Sequence, residues 1–178
     1  MPLAKSAINS PKPIAGLGPA PCRDVGFIIN TIRAYMRRIG IRLISRSYAD
    51  EAMAQMLMAI GGVYNVYFDG DVLYLEVDEG VIAPGEAVRR ALDLGYEALL
   101  PHYVFSTRRG DPWKIKERVE AAAAPFLVAA TYDVDEGYIY AVAVPGTGDE
   151  EVLKWAEELG VSASLVDKYY KPVRLSFG

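Results

Sequence analysis

The sequence is poor in the residues that most often carry chemistry. It holds one cysteine, Cys22, and one histidine, His102. A lone cysteine cannot close an internal disulfide, and a lone histidine cannot join a second one in a metal cage. A Cys–His nucleophile pair is equally disfavoured, since the two lie far apart in the chain. Asparagine and glutamine are scarce too, which leans toward a thermophilic source because both are heat-labile. No apolar run approaches the ~20 residues of a membrane span, and the N-terminus lacks the apolar core of a signal peptide. The expectation is a cytoplasmic protein with no membrane partner, no cofactor and no metal.

What is present is an ordinary globular composition. The 178 residues are 52% hydrophobic and 24% charged, enough for one domain or two small fused ones. At this size folding buries roughly 70% of the surface of the unfolded chain, so a core needs no disulfide or metal. The net charge of −4 argues against coating duplex DNA by bulk charge.

Residues 1–23 carry Pro2, Pro11, Pro13, Pro19 and Pro21 with Gly16 and Gly18, which predicts an extended or disordered arm. In Asp24–Ile39 the apolar residues Val25, Ile28, Ile29, Ile32, Met36 and Ile39 fall at helical spacing, and Gly40 supplies a stop. Ile41–Arg46 reads as a short strand. Ser47 and Asp50 open a second helix as an imperfect capping box. Val63–Val77 is a hairpin around Asp69-Gly70, and Pro84 starts a helix that ends at Gly95. The order then recurs: a strand at His102–Thr107, a helix from Asp111-Pro112, a hairpin in Phe126–Val144, a helix capped by Thr147 and Glu150, and a last strand at Val173–Phe177.

Adding 65 to the number places Tyr67 on Tyr132, Val63 on Val128, Glu86 on Glu151 and Leu94-Gly95 on Leu159-Gly160. A constant offset across hairpin and helix predicts an internal duplication. Each copy is a βαββα unit, and the strand that opens the next segment completes an order that resembles the ferredoxin-like arrangement. The expected class is α+β, with antiparallel sheets and helices mainly on one face. The expected organisation is the arm at 1–23, a helix with the first repeat at 24–101, and the second repeat at 102–178.

Chemistry is thin on the ground. His102 beside Ser106 reads as structural. The acidic groups Asp69/Asp71, Asp78/Glu79 and Asp133/Asp135/Glu136 read as turn formers, and Gly146-Thr147-Gly148 as a capping loop whose acidic neighbours would repel phosphate. Two features stand out. One is basic: Arg33, Arg37, Arg38, Arg42 and Arg46 run without an intervening acid, and Arg108 and Arg109 follow the corresponding strand of the second copy. The other is aromatic: Tyr67, Tyr74, Tyr132 and Tyr140 are predicted on the sheet faces that helices leave open.

Exposed rings that stack bases, bordered by guanidinium groups that meet phosphates, predict a non-enzymatic binder of single-stranded RNA or DNA. Its site would be Arg37, Arg38, Arg42, Arg46, Tyr67, Tyr74, Arg108, Arg109, Tyr132 and Tyr140. The competing expectation is that these rings are covered as ordinary core. Two other functions fit the same features: a structural or regulatory homo-oligomer without catalysis, and an enzyme holding a small anion between the repeats through Arg46, Arg108 or Arg109.

Overall fold

A computed structural model describes residues 35–108 and 110–174, and Tyr35–Gly178 forms one compact unit. Among the described residues the elements run β1 (Met36–Leu43), α1 (Asp50–Met58), β2 (Val63–Asp69), β3 (Val72–Asp78), α2 (Pro84–Asp93), β4 (Ala98–Thr107), α3 (Pro112–Ala121), β5 (Leu127–Asp133), β6 (Tyr138–Ala143), α4 (Asp149–Glu158) and β7 (Ala163–Val173). It is a mixed α+β fold: one curled antiparallel sheet and four helices.

The strands lie in the order β2-β3-β1-β4-β6-β5, with β7 on the other edge of β4. β4 is the hub. Its Ala98 and Leu99 pair with β1, its His102–Ser106 stretch pairs with β6, and its whole length pairs with β7. It therefore closes the first βαββαβ series and opens the second. Alternation along β4 decides how the helices are arranged, because successive side chains leave a strand on opposite faces. Ala98 and Leu100 enter the core formed with Leu57 of α1 and Val88, Ala91 and Leu92 of α2. Tyr103 and Phe105, of the other parity, enter the core formed with Val119 of α3 and with Val152 and Trp155 of α4. The two pairs of helices cover opposite faces of one sheet. This corrects the expectation of helices mainly on one face.

Several local expectations also change. Met36–Ile39 is strand rather than helix, while residues 1–34, with the arm and most of the first predicted helix, lie outside the described residues. Ile39, Ile41 and Leu43 are buried with period two. Gly40 is no helix stop: it sits mid-strand under the ring of Tyr74, whose Cε1 would lie 3.0 Å from a Cβ placed there. The strand predicted at Ile41–Arg46 ends at Leu43. Thr147 does not cap α4; its hydroxyl donates to the Val144 carbonyl at 2.6 Å, and Gly148 occupies the cap. The last strand is Ala163–Val173, upstream of the predicted Val173–Phe177, of which residues 175–177 lie outside the described residues.

Other signals hold locally. Asp111 accepts from Trp113 N–H at 3.1 Å with Pro112 in the first helical turn, whereas Ser47 does not open α1: the Asp50 carboxylate accepts from the Ser47 N–H at 3.0 Å, but the helix begins at Asp50 with Ala49 at its cap. In α2 a Cβ on Gly85 would collide with the Leu127 carbonyl, and the Gly85 N–H donates to the Pro125 carbonyl at 2.8 Å. That close approach joins the first series of elements to β5, reinforced by Arg89 donating to the Val128 carbonyl at 2.8 Å.

Candidate functional site

The predicted arginine cluster is dispersed by the strand it lies on. Arg37 and Arg38 point to opposite faces of β1. Arg37 pairs with Glu79 at 3.3 Å and Arg42 with Asp71 at 3.8 Å. Arg46, in the loop after β1, is held on three sides. Its Nε meets buried Asp50 at 2.5 Å, Nη1 donates to the Gly70 carbonyl, and Cζ sits 3.8 Å above the Phe68 ring. That is a latch closing the loop onto the first hairpin, not an open anion clamp. Arg108 is exposed in the loop after β4, and Arg109 lies outside the described residues.

The tyrosines fall into three places. Tyr67 and Tyr74 are direct cross-strand partners stacked on each other, with centroids 5.1 Å apart. Arg38 closes that group, its Cζ 5.4 Å from the Tyr74 ring and its Nη1 donating to the Tyr67 hydroxyl at 3.4 Å. That hydrogen bond holds the guanidinium above its ordinary pKa. Tyr132 is 5% exposed, in the core under α3 and α4, with its hydroxyl 3.2 Å from Thr107 Oγ1. Tyr140 stands on the opposite face from Tyr132 and donates to Glu136 at 3.0 Å, a carboxylate that raises the phenol's pKa. The open faces of the two series look in opposite directions, so Tyr67 and Tyr74 cannot form one platform with Tyr140.

The acidic turns do what turns require. Asp133 Oδ1 accepts from the N–H groups of Asp135 and Glu136, and Asp78 Oδ1 accepts from Gly80. Among the described residues no three His, Cys, Asp or Glu side chains are gathered as a metal ion would need. No helix among them is long and apolar enough to cross a membrane.

A grouping that sequence reasoning missed lies on the open face of the second series. His102 stacks on Tyr169, with centroids 5.3 Å apart and planes 11° from parallel. Across the sheet the row continues from His102 to Val142 and from Val142 to Ala129. With Ala130, Thr131, Tyr140 and Lys171 these residues line a cleft of about 500 Å³. His102 read as a structural residue because its partners come from strands far along the chain. The signal that existed was the run Lys168–Lys171, whose strand went unrecognised. On the other face Tyr103, Asp149 and Lys168 form a separate polar tie, both donors meeting Asp149 Oδ1 at 2.6 Å. Lys168 holds that carboxyl below its usual range.

No protein-family model matches the chain, and no curated protein matches it. Two solved structures resemble it at 12% identity. The water-soluble region of the P-type ATPase CopA from Bacillus subtilis gives a TM-score of 0.41 over 73% of this chain and 91% of that one. The N-terminal soluble domains of Bacillus subtilis CopA give 0.39 over 74% and 94%. The expectation of single-stranded RNA or DNA binding is corrected by the geometry: its tyrosine platform is split between faces and core, and its arginines are largely engaged.

Proposed function

We propose that the chain is a duplicated, non-catalytic module that associates with a second copy of itself through β7. The observation that carries this reading is the strand's outer edge. β7 runs for eleven residues, pairs only with β4 among the described residues, and exposes Leu165, Val166 and Tyr170 at 40%, 54% and 57%. A long exposed strand edge presents unpaired backbone donors and acceptors to a matching strand. The sequence of β7 is self-complementary in the antiparallel sense. A register centred on Tyr169 sets Asp167 of each copy against Lys171 of the other, and Leu165 against Val173.

The duplication is supported by the repeated strand order around β4 and by a register shift at the same point of each hairpin, between Val63 and Asn65 and between Leu127 and Ala129. In this reading 24–101 and 102–178 are the two repeats, with β4 serving both.

Sedimentation equilibrium at tens of micromolar tests the association. The wild type is expected as a dimer, and the double variant Val166→Lys/Tyr170→Lys as a monomer with an unchanged melting profile. In the proposed register two residues at position 169 face each other at about 5 Å between Cα atoms, within disulfide reach. Oxidised Tyr169→Cys in a Cys22→Ser background is therefore expected to cross-link. A strictly monomeric wild type overturns the proposal.

A further inference from the structure

We infer that the cleft on the open face of the second series is a binding site for a small planar anion carrying a hydrogen-bond donor opposite its charge, the chemistry of a hydroxylated aromatic carboxylate. This goes beyond the self-association reading but shares Tyr169 and Lys171 with it, so the test includes a variant in which the β7 edge is blocked.

Four adjacent strands build the seat. Ala129 and Val142 give a flat apolar floor, and the stacked rings of His102 and Tyr169 form a wall. A volume of about 500 Å³ suits a single substituted ring. Polarity then fixes which way the ring lies. His102 Nδ1 is 2.9 Å from the Leu100 carbonyl, an atom that only accepts. That nitrogen carries the proton, leaving the lone pair on Nε2 to receive a hydrogen bond from a ligand.

Lys171 lies two residues along β7 from Tyr169, a rise of about 7 Å, which is the length of one ring with its para substituents. Among the described residues Lys171 makes no salt bridge. The acidic groups nearest the rings lie at the opposite end, Asp167, in the row of Val104 and Tyr140, and Glu136, held by the Tyr140 hydroxyl, while Arg89, paired with Glu86, reaches the Val128 carbonyl beside Ala129. The cleft is cationic at the Lys171 end and acidic at the other. An anion lying with its charge on Lys171 and its donor toward His102 matches that gradient; the reverse orientation opposes it.

Isothermal titration with three probes reads each part: 4-hydroxybenzoate, benzoate and neutral 4-hydroxybenzyl alcohol. Saturable binding of 4-hydroxybenzoate is expected, and Lys171→Ala weakens it about tenfold through loss of a charge-assisted bond. The same variant leaves the affinity for the alcohol unchanged. His102→Phe, which keeps a ring on Tyr169, weakens 4-hydroxybenzoate about fivefold and leaves benzoate unchanged. The titrations are repeated on Val166→Lys/Tyr170→Lys, so that failure of the dimer and failure of the site are read separately. Absence of saturable binding by 4-hydroxybenzoate at millimolar concentration overturns the proposal, as does an equal effect of Lys171→Ala on charged and neutral probes.

Discussion

Gly85→Ala tests the join between the two series of elements. In an exposed helix this substitution stabilises, because alanine gains up to about 1 kcal/mol over glycine. Here the added Cβ meets backbone: the Leu127 carbonyl oxygen, the Leu127 carbonyl carbon at 2.7 Å and the Pro125 carbonyl oxygen at 3.1 Å. None of these atoms can swing away like the end of a flexible side chain. The start of α2 must lift from the 125–127 segment, at an overpacking cost of about 1–3 kcal/mol. Lifting also stretches the hydrogen bond from Gly85 N–H to Pro125, which contributes about 1 kcal/mol. The opposing terms leave a net destabilisation of about 2 kcal/mol. For a domain of this size that lowers Tm by about 4–8 °C. Calorimetric melts and urea titrations check the value, with Gly61→Ala as control; a Cβ at Gly61 meets nothing within 4 Å, and a change within about 0.5 kcal/mol is expected. A Gly85→Ala variant as stable as the wild type refutes the close approach.

Two further perturbations address the first series. Asp50→Ala removes the acceptor for both Arg46 Nε and the Ser47 N–H. The expected loss is about 2 kcal/mol, below the usual cost of breaking a buried pair because Arg46 is half exposed, and chemical denaturation at constant m-value measures it. The Tyr96 hydroxyl donates to the Asp50 carbonyl at 3.3 Å, and burial pushes its pKa up to about 12, with the Asp50 carboxylate adding to the shift and Arg46 opposing it. An acid whose folded value lies above its unfolded 10.0 favours the fold fully below pH 10 and loses that contribution as pH rises to 12. The stability difference between wild type and Tyr96→Phe is expected to stay flat below pH 10 and to shrink above it; a constant difference through pH 12 contradicts the buried phenol.

The sequence carried much of the chain's local structure. Both hairpins, the helix starts at Pro84 and Pro112, and the stop at Gly95 (φ +100°) are set by turn and cap chemistry that acts within a few residues. The losses came where a residue's role depends on something far along the chain. Gly40 tolerates mid-strand because the Tyr74 ring covers it, and Arg46 is fixed by Asp50, Phe68 and Gly70 together. β7 was missed because Asp167, Lys168 and Pro172 break its pattern, yet it is held along ten residues by β4. A strand paired on one edge only can carry such residues, since its other edge and much of its surface meet water.

One part of the failure of the nucleic-acid reading is a single residue of register. Tyr67 pairs with Tyr74, but the residue that pairs with Tyr140 is Thr131, not Tyr132. The two hairpins differ in turn length: Asp69 pairs with Val72 across two residues, whereas Asp133 pairs with Tyr138 across four. An offset of 65 is therefore one too large on the first strand and one too small on the second. It fits again at the helix that follows each hairpin, where Pro84 answers to Asp149. On a strand a shift of one moves a side chain through the sheet. Tyr132 thus lands under Trp155 and Ile139 instead of in the open, and the partners that would have completed a platform are Thr131 and Ala129, too small to stack a base. What that face offers is two ring pairs, His102 with Tyr169 at 5.3 Å and Tyr138 edge-on to Tyr140 at 6.5 Å, beside a shallow apolar floor.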